Sequence, residues 1–70
     1  MSNLLPQQRL FLELLVKSGD IAVPDQDDGS MLFRTLKECE KAGLVLIEKV
    51  SNGFDKAAIT DKGRLMVKKQ

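Results

Sequence analysis

Cations at helical spacing are the residues of this chain best suited to chemistry. Arg34, Lys37 and Lys41 recur every three to four positions, the repeat that lines side chains along one stripe of a helix. Ser30 stands one turn ahead of Arg34, with Thr35 and Glu38 nearby. These types can read base edges: arginine bidentately on guanine, glutamate accepting from cytosine, hydroxyls on either. Ser30, Arg34, Thr35 and Glu38 are therefore candidate base-edge readers in double-stranded DNA. Lys37 and Lys41 are candidate phosphate contacts. Counting back from a two-residue turn at Asn52-Gly53 pairs Ser51 with Phe54 and sets Lys49 opposite Lys56. Like charges facing each other are unfavourable, and a polyanion across them relieves the repulsion, so both lysines join the phosphate candidates. The alternative is an ordinary solvated hairpin whose lysines discourage edge pairing.

Other chemistries lack their residues. There is no histidine, and no glycine-rich phosphate loop. The one cysteine, Cys39, excludes an intramolecular disulfide and a multi-cysteine metal site. It falls on the apolar side of its helix and reads as an inert core thiol. Asp25, Asp27 and Asp28 form an acidic turn before Gly29. A calcium loop of the EF-hand type needs glycine at position six and a closing glutamate. Here glycine comes one place early and Glu38 lies on the wrong face, so no metal and no cofactor is expected. The turn then reads as a solvated one in which Asp27, Asp28 or Ser30 caps the helix that follows. The chain is not expected to be an enzyme.

The elements that must hold the cations follow from Ser30 to Gly63. Residues 30–42 carry a helical pattern, and Gly43 suits the left-handed residue that ends a helix. Leu44–Ser51 and Phe54–Ile59 read as strands about the Asn52-Gly53 turn, a strong hairpin signal. Thr60 can cap a final short helix with Asp61 in its first turn. Leu36-Lys-Glu-Cys-Glu-Lys-Ala-Gly43-Leu44-Val45, then Ile59-Thr60-Asp61-Lys62-Gly63-Arg64, resembles the wing half of MarR- and PadR-type transcriptional regulators. The resemblance implies an α+β fold, a small winged helix-turn-helix domain spanning 1–70. Helix 30–42 would then lie in the major groove, with the 45–59 hairpin as the wing.

The first half of the chain fits that pattern less well. A helix over 4–18, with Asn3 as candidate N-cap and Gly19 as its stop, spreads Leu5, Leu10, Phe11, Leu12, Leu14, Leu15 and Val16 over most of its circumference. One contact needs an apolar stripe only a little over ~100° wide. Two readings stand: a central helix packed on two sides, or a homodimer surface around Leu5, Leu12 and Val16. MarR-type dimers use additional terminal helices, whereas about two helical turns follow Thr60 here. A short strand is expected near 20–23. Only residues 24–29 precede the second helix, so the usual positioning helix must be very short or missing. The expected core is Leu32, Phe33, Leu36, Cys39, Leu44 and Ile59 with Phe11, Leu14 and Leu15.

Size and charge bound the function. Seventy residues sit near the limit at which a single core suffices. Eleven Lys and Arg against ten Asp and Glu give +1, unlike the strongly basic balance of many nucleic-acid binders. No apolar run approaches the ~20 residues of a membrane span and no signal peptide opens the chain, so no membrane partner and a cytoplasmic location are expected, in the host's cytoplasm if the source is a phage or plasmid. Two functions remain: a small DNA-binding regulator working as a dimer or beside a partner, or a winged-helix protein-interaction module, phage- or plasmid-encoded or not, that does not bind DNA. Lys62, Arg64, Lys68 and Lys69 favour the first. The acidic turn and the apolar first helix favour the second.

Overall fold

A computed structural model describes residues 4–69, without the side chain of the last. The order is α1 (Pro6–Ser18), β1 (Ile21–Pro24), α2 (Met31–Lys41), β2 (Val45–Ser51), β3 (Phe54–Ile59) and α3 (Asp61–Lys69). This is an α+β winged-helix architecture. Residues 25–30 contain no helix, so the positioning helix before α2 is missing.

Each boundary has a local cause. Pro6 opens α1, where its absent N–H costs nothing, and Leu5 N–H donates to Gln8 Oε1 at 3.1 Å. The candidate cap Asn3 lies outside the described residues. Ser30 caps α2: its hydroxyl accepts from Phe33 N–H at 3.1 Å. Gly43, at φ 80°, ends α2 by letting two carbonyls find donors. Gly43 N–H reaches Glu40 O at 3.0 Å and Leu44 N–H reaches Cys39 O at 2.9 Å, the paired bonds of a Schellman stop.

The sheet order is β1-β3-β2, all antiparallel, with β3 in the middle. Helix α1 packs on α2, α3 and β3, so it is the central helix of the first reading. Its Phe11, Leu12 and Leu15 meet Leu36 and Cys39 of α2, Val23, Val45 and Ala57 of the sheet, and Leu44. Ile59, Met66 and Val67 pack around them. Three expectations about burial change. Leu14 and Leu32 are 45% and 42% exposed, while Leu12 is fully buried. Helix α1 is rotated so that the 11-12-15 side faces the sheet. Leu32, in the first turn of α2, sits at the edge of the core with no positioning helix above it.

Thr60 ties the end of the wing to the end of α2. Its hydroxyl donates to Gly43 O at 2.8 Å and accepts from Gly63 N–H at 3.0 Å, while Lys62 Nζ donates to Ala42 O at 3.1 Å. The end of α2 is thereby joined to the first turn of α3.

Candidate nucleic-acid interface

The exposed face of α2 carries Arg34, Lys37 and Lys41 in one row, beside a shallow groove that Phe33 and Ser30 also line. The side chains of Arg34 and Lys41 are exposed and make no hydrogen bond or ion pair among the described residues. Lys37 lies 3.5 Å from Glu40 Oε1 and 5.5 Å from the centre of the Phe33 ring. An exposed pair at that distance is weak, so Lys37 can turn to another anion at small cost.

The remaining α2 candidates have other partners. Thr35 is buried at 3% exposure. Its position turns it toward α1, so it does not belong with the base readers. Ser30 is occupied at both ends: it accepts from Phe33 N–H and donates to Asp28 Oδ1. Glu38 accepts from Gln8 Nε2 at 3.0 Å, which draws the carboxylate toward α1. Sequence spacing could not show this, because Gln8 lies on a different helix. Glu38 is thus drawn off the row, while Glu40 stays beside Lys37 and Asp27 lines the same groove.

The wing differs from the simple count. A bulge between Lys49 and Ser51 shifts the register, so Lys49 faces Asp55 and Lys56 faces Glu48. The extra residue sets each lysine across from an acidic residue instead of across from the other lysine, and of these two cross-strand positions Lys56 and Glu48 form an ion pair. Lys56 Nζ lies 3.1 Å from Glu48 Oε1 and 3.5 Å from Asp20 Oδ2. The hydrogen bond to Glu48, then its charge and that of Asp20, raise the Lys56 pKa above the ordinary lysine range. Lys49 Nζ lies 3.8 Å from Asp25 Oδ2. Both wing lysines are thus partly neutralised within the protein.

The acidic turn is structural. Asp27 Oδ1 accepts from Gly29 N–H at 2.8 Å, and Asp28 Oδ1 accepts from Ser30 N–H at 3.0 Å. The hydrogen bond from the Ser30 hydroxyl, then that from its N–H, holds the Asp28 carboxyl below the usual carboxylate range. The sequence places Asp25 only in a solvated turn. It instead accepts from Gly53 N–H at 3.2 Å and pins the hairpin tip to the end of β1. Among the described residues, no three His, Cys, Asp or Glu side chains are grouped to hold a metal ion, and no helix is long and apolar enough to cross a membrane.

Of the residues expected to pair two copies through α1, Leu5 and Val16 are 48% and 43% exposed and Leu12 is buried. Leu12 cannot reach a partner without leaving the core. The exposed apolar residues of α1 that adjoin α2 are Leu10 and Leu14, beside Met31 and Leu32. Comparison with family models, with curated proteins and with solved structures gives no match to this chain. The winged-helix topology is compatible with nucleic-acid-binding domains in general.

Proposed function

We propose that residues 1–70 act as a single winged-helix domain that binds double-stranded DNA and regulates transcription, as the resemblance to MarR- and PadR-type regulators implies. The observation that carries this reading is the row Arg34, Lys37 and Lys41 on the exposed face of α2, where Arg34 and Lys41 have no partner among the described residues. With α2 in the major groove, Arg34 in its N-terminal half reads a guanine, and Lys37 and Lys41 meet phosphates. The wing contributes less, because Lys49 and Lys56 already face carboxylates. Regulation would be by occupancy of a short site.

Fluorescence anisotropy with a labelled duplex, titrated at increasing salt, tests it. Affinity should fall steeply with salt. Lys41→Ala should reduce the slope of log K against log salt by about one, and Arg34→Ala should weaken binding and relax sequence preference. Lys56→Ala should change little. Absence of binding at low salt refutes the DNA reading. The second reading, a protein-interaction module, is then favoured by the cluster of exposed Leu10, Leu14, Met31 and Leu32.

A further inference from the structure

The groove between α1 and the first turn of α2 is lined by Leu10, Leu14, Met31 and Leu32, with Glu13 and Lys17 also on its wall. Leu10 is 69% exposed and Met31 60%. Large apolar side chains gathered on one surface mark an interaction site more often than isolated ones do. Residues 25–30, which lead into α2, are held elsewhere: Asp25 on the hairpin tip, Asp27 and Asp28 in their own turn. No described segment of this chain therefore covers the groove.

We infer that a second copy of this chain covers it, in a two-fold antiparallel pairing of α1 with α1 about an axis near Leu14. The charges of the groove point to a like partner. One acid and one base, Glu13 and Lys17, line it; Glu13 pairs with Arg9 of its own helix at 3.1 Å, an exposed contact weak enough to be exchanged, and the whole chain carries only +1, so self-association meets little repulsion. A two-fold contact must be self-complementary. In antiparallel helices crossing near Leu14, Glu13 lies within one helical turn of Lys17 of the partner subunit, and the reverse contact forms by symmetry. Leu10 and Leu14 then pack against the same apolar groove on the other copy. At about 100° per residue, Met31, Leu32 and Thr35 lie roughly 130° around α2 from the row of Arg34, Lys37 and Lys41. Pairing leaves the cationic row open. The inference deepens the DNA reading, because a two-fold dimer presents two α2 helices to a palindromic site, but the pairing itself does not depend on DNA.

Sedimentation equilibrium provides the test. The wild type should dimerise with a Kd on the order of 10–100 µM, as suits a small interface. Leu10→Glu, at an exposed position, should weaken it at least tenfold while the circular dichroism melt stays unchanged. Glu13→Lys and Lys17→Glu should each weaken it about tenfold, since two surface pairs become repulsive. An equimolar mixture of those two variants should dimerise again, because both cations of the Glu13→Lys copy then meet both acids of the Lys17→Glu copy, one contact through the two changed positions and the other between native Lys17 and native Glu13. A wild type that stays monomeric to about 500 µM overturns the inference, as does self-association indifferent to Leu10→Glu, or a mixture no tighter than its components. Failure here is separable from failure of the DNA reading: Leu10→Glu should still bind a single half-site, whereas Arg34→Ala should still dimerise.

Discussion

Gly63 lies in the first turn of α3, where α3 meets the segment after α2. A Cβ placed there would stand 2.7 Å from Ile59 Cγ1 and closer still to the Leu44 carbonyl oxygen. That carbonyl is not free to retreat, because it accepts from Thr60 N–H at 3.0 Å. In Gly63→Ala the methyl group must push α3 away from Leu44, and the bonds joined at Thr60 stretch with it. Overpacking of this kind costs about 1–3 kcal/mol, and a weakened hydrogen bond adds about 1 kcal/mol. The gain in helix propensity from glycine to alanine offsets at most about 1 kcal/mol. The steric effect wins, and the net loss is about 2 kcal/mol. A domain of this length holds roughly 3.5–10 kcal/mol in total, at the usual stability per residue. With a urea m-value of about 1 kcal/mol/M, the midpoint should fall by about 2 M. Urea melts followed by circular dichroism read the shift directly. An unchanged or raised midpoint would mean that α3 shifts away from Leu44 at no cost, and that the close approach at Gly63 does not constrain the fold.

Leu36 is 1% exposed in the middle of the core, so Leu36→Ala should cost about 2–5 kcal/mol and bring the domain near the edge of folding. A melt within about 0.5 kcal/mol of wild type, the range of an ordinary surface change, would refute its central placement. Burial, with a smaller contribution from the Glu38 charge, pushes the Cys39 thiol up to about 11. Between the ordinary thiol range and about 11 the folded state keeps a proton that the unfolded chain releases, so stability falls as pH rises through that window, by at most about 1.4 kcal/mol per pH unit. Comparing urea midpoints of the wild type and Cys39→Ala from pH 8 to 11 isolates this slope. A constant difference across the range would show that the thiol is not desolvated. In the same fold, the thiol should react with an aromatic disulfide reagent at pH 8 only as fast as the protein opens.

Much of the fold was legible in the residues alone, because the deciding signals are local. Ser30 at an N-cap, Gly43 at a left-handed stop, Asn52-Gly53 at a two-residue turn and Thr60 at the next cap each act through bonds spanning a few residues. Their spacing sets the order of α2, β2, β3 and α3, and the short run from 24 to 29 left room for at most about one turn of a positioning helix. The stripe of Arg34, Lys37 and Lys41 was legible for the same reason, since helical periodicity alone brings them together.

What the sequence left open depends on contacts between distant segments. The rotation of α1 places Leu12 inside and Leu14 outside because α1 packs on α2, α3 and β3 together, and no periodicity ranks three faces that are all apolar. Thr35 was lost to the interface and Glu38 was bound by Gln8 for a related reason: α1 approaches that flank of α2. The bulge at Val50 is a one-residue slip in pairing, invisible to counting, yet it reverses the electrostatics of the wing by placing Glu48 and Asp55 against Lys56 and Lys49. Asp25 changed from solvated acid to hairpin clamp because β1 ends beside the wing tip. The sequence by itself determined which elements form and which cations share a helix face, through interactions a few residues long. Which charged groups stay unpaired was settled by packing: apart from Glu40 beside Lys37 on α2 itself, the partners of Glu38, Lys49 and Lys56 arrive from other segments.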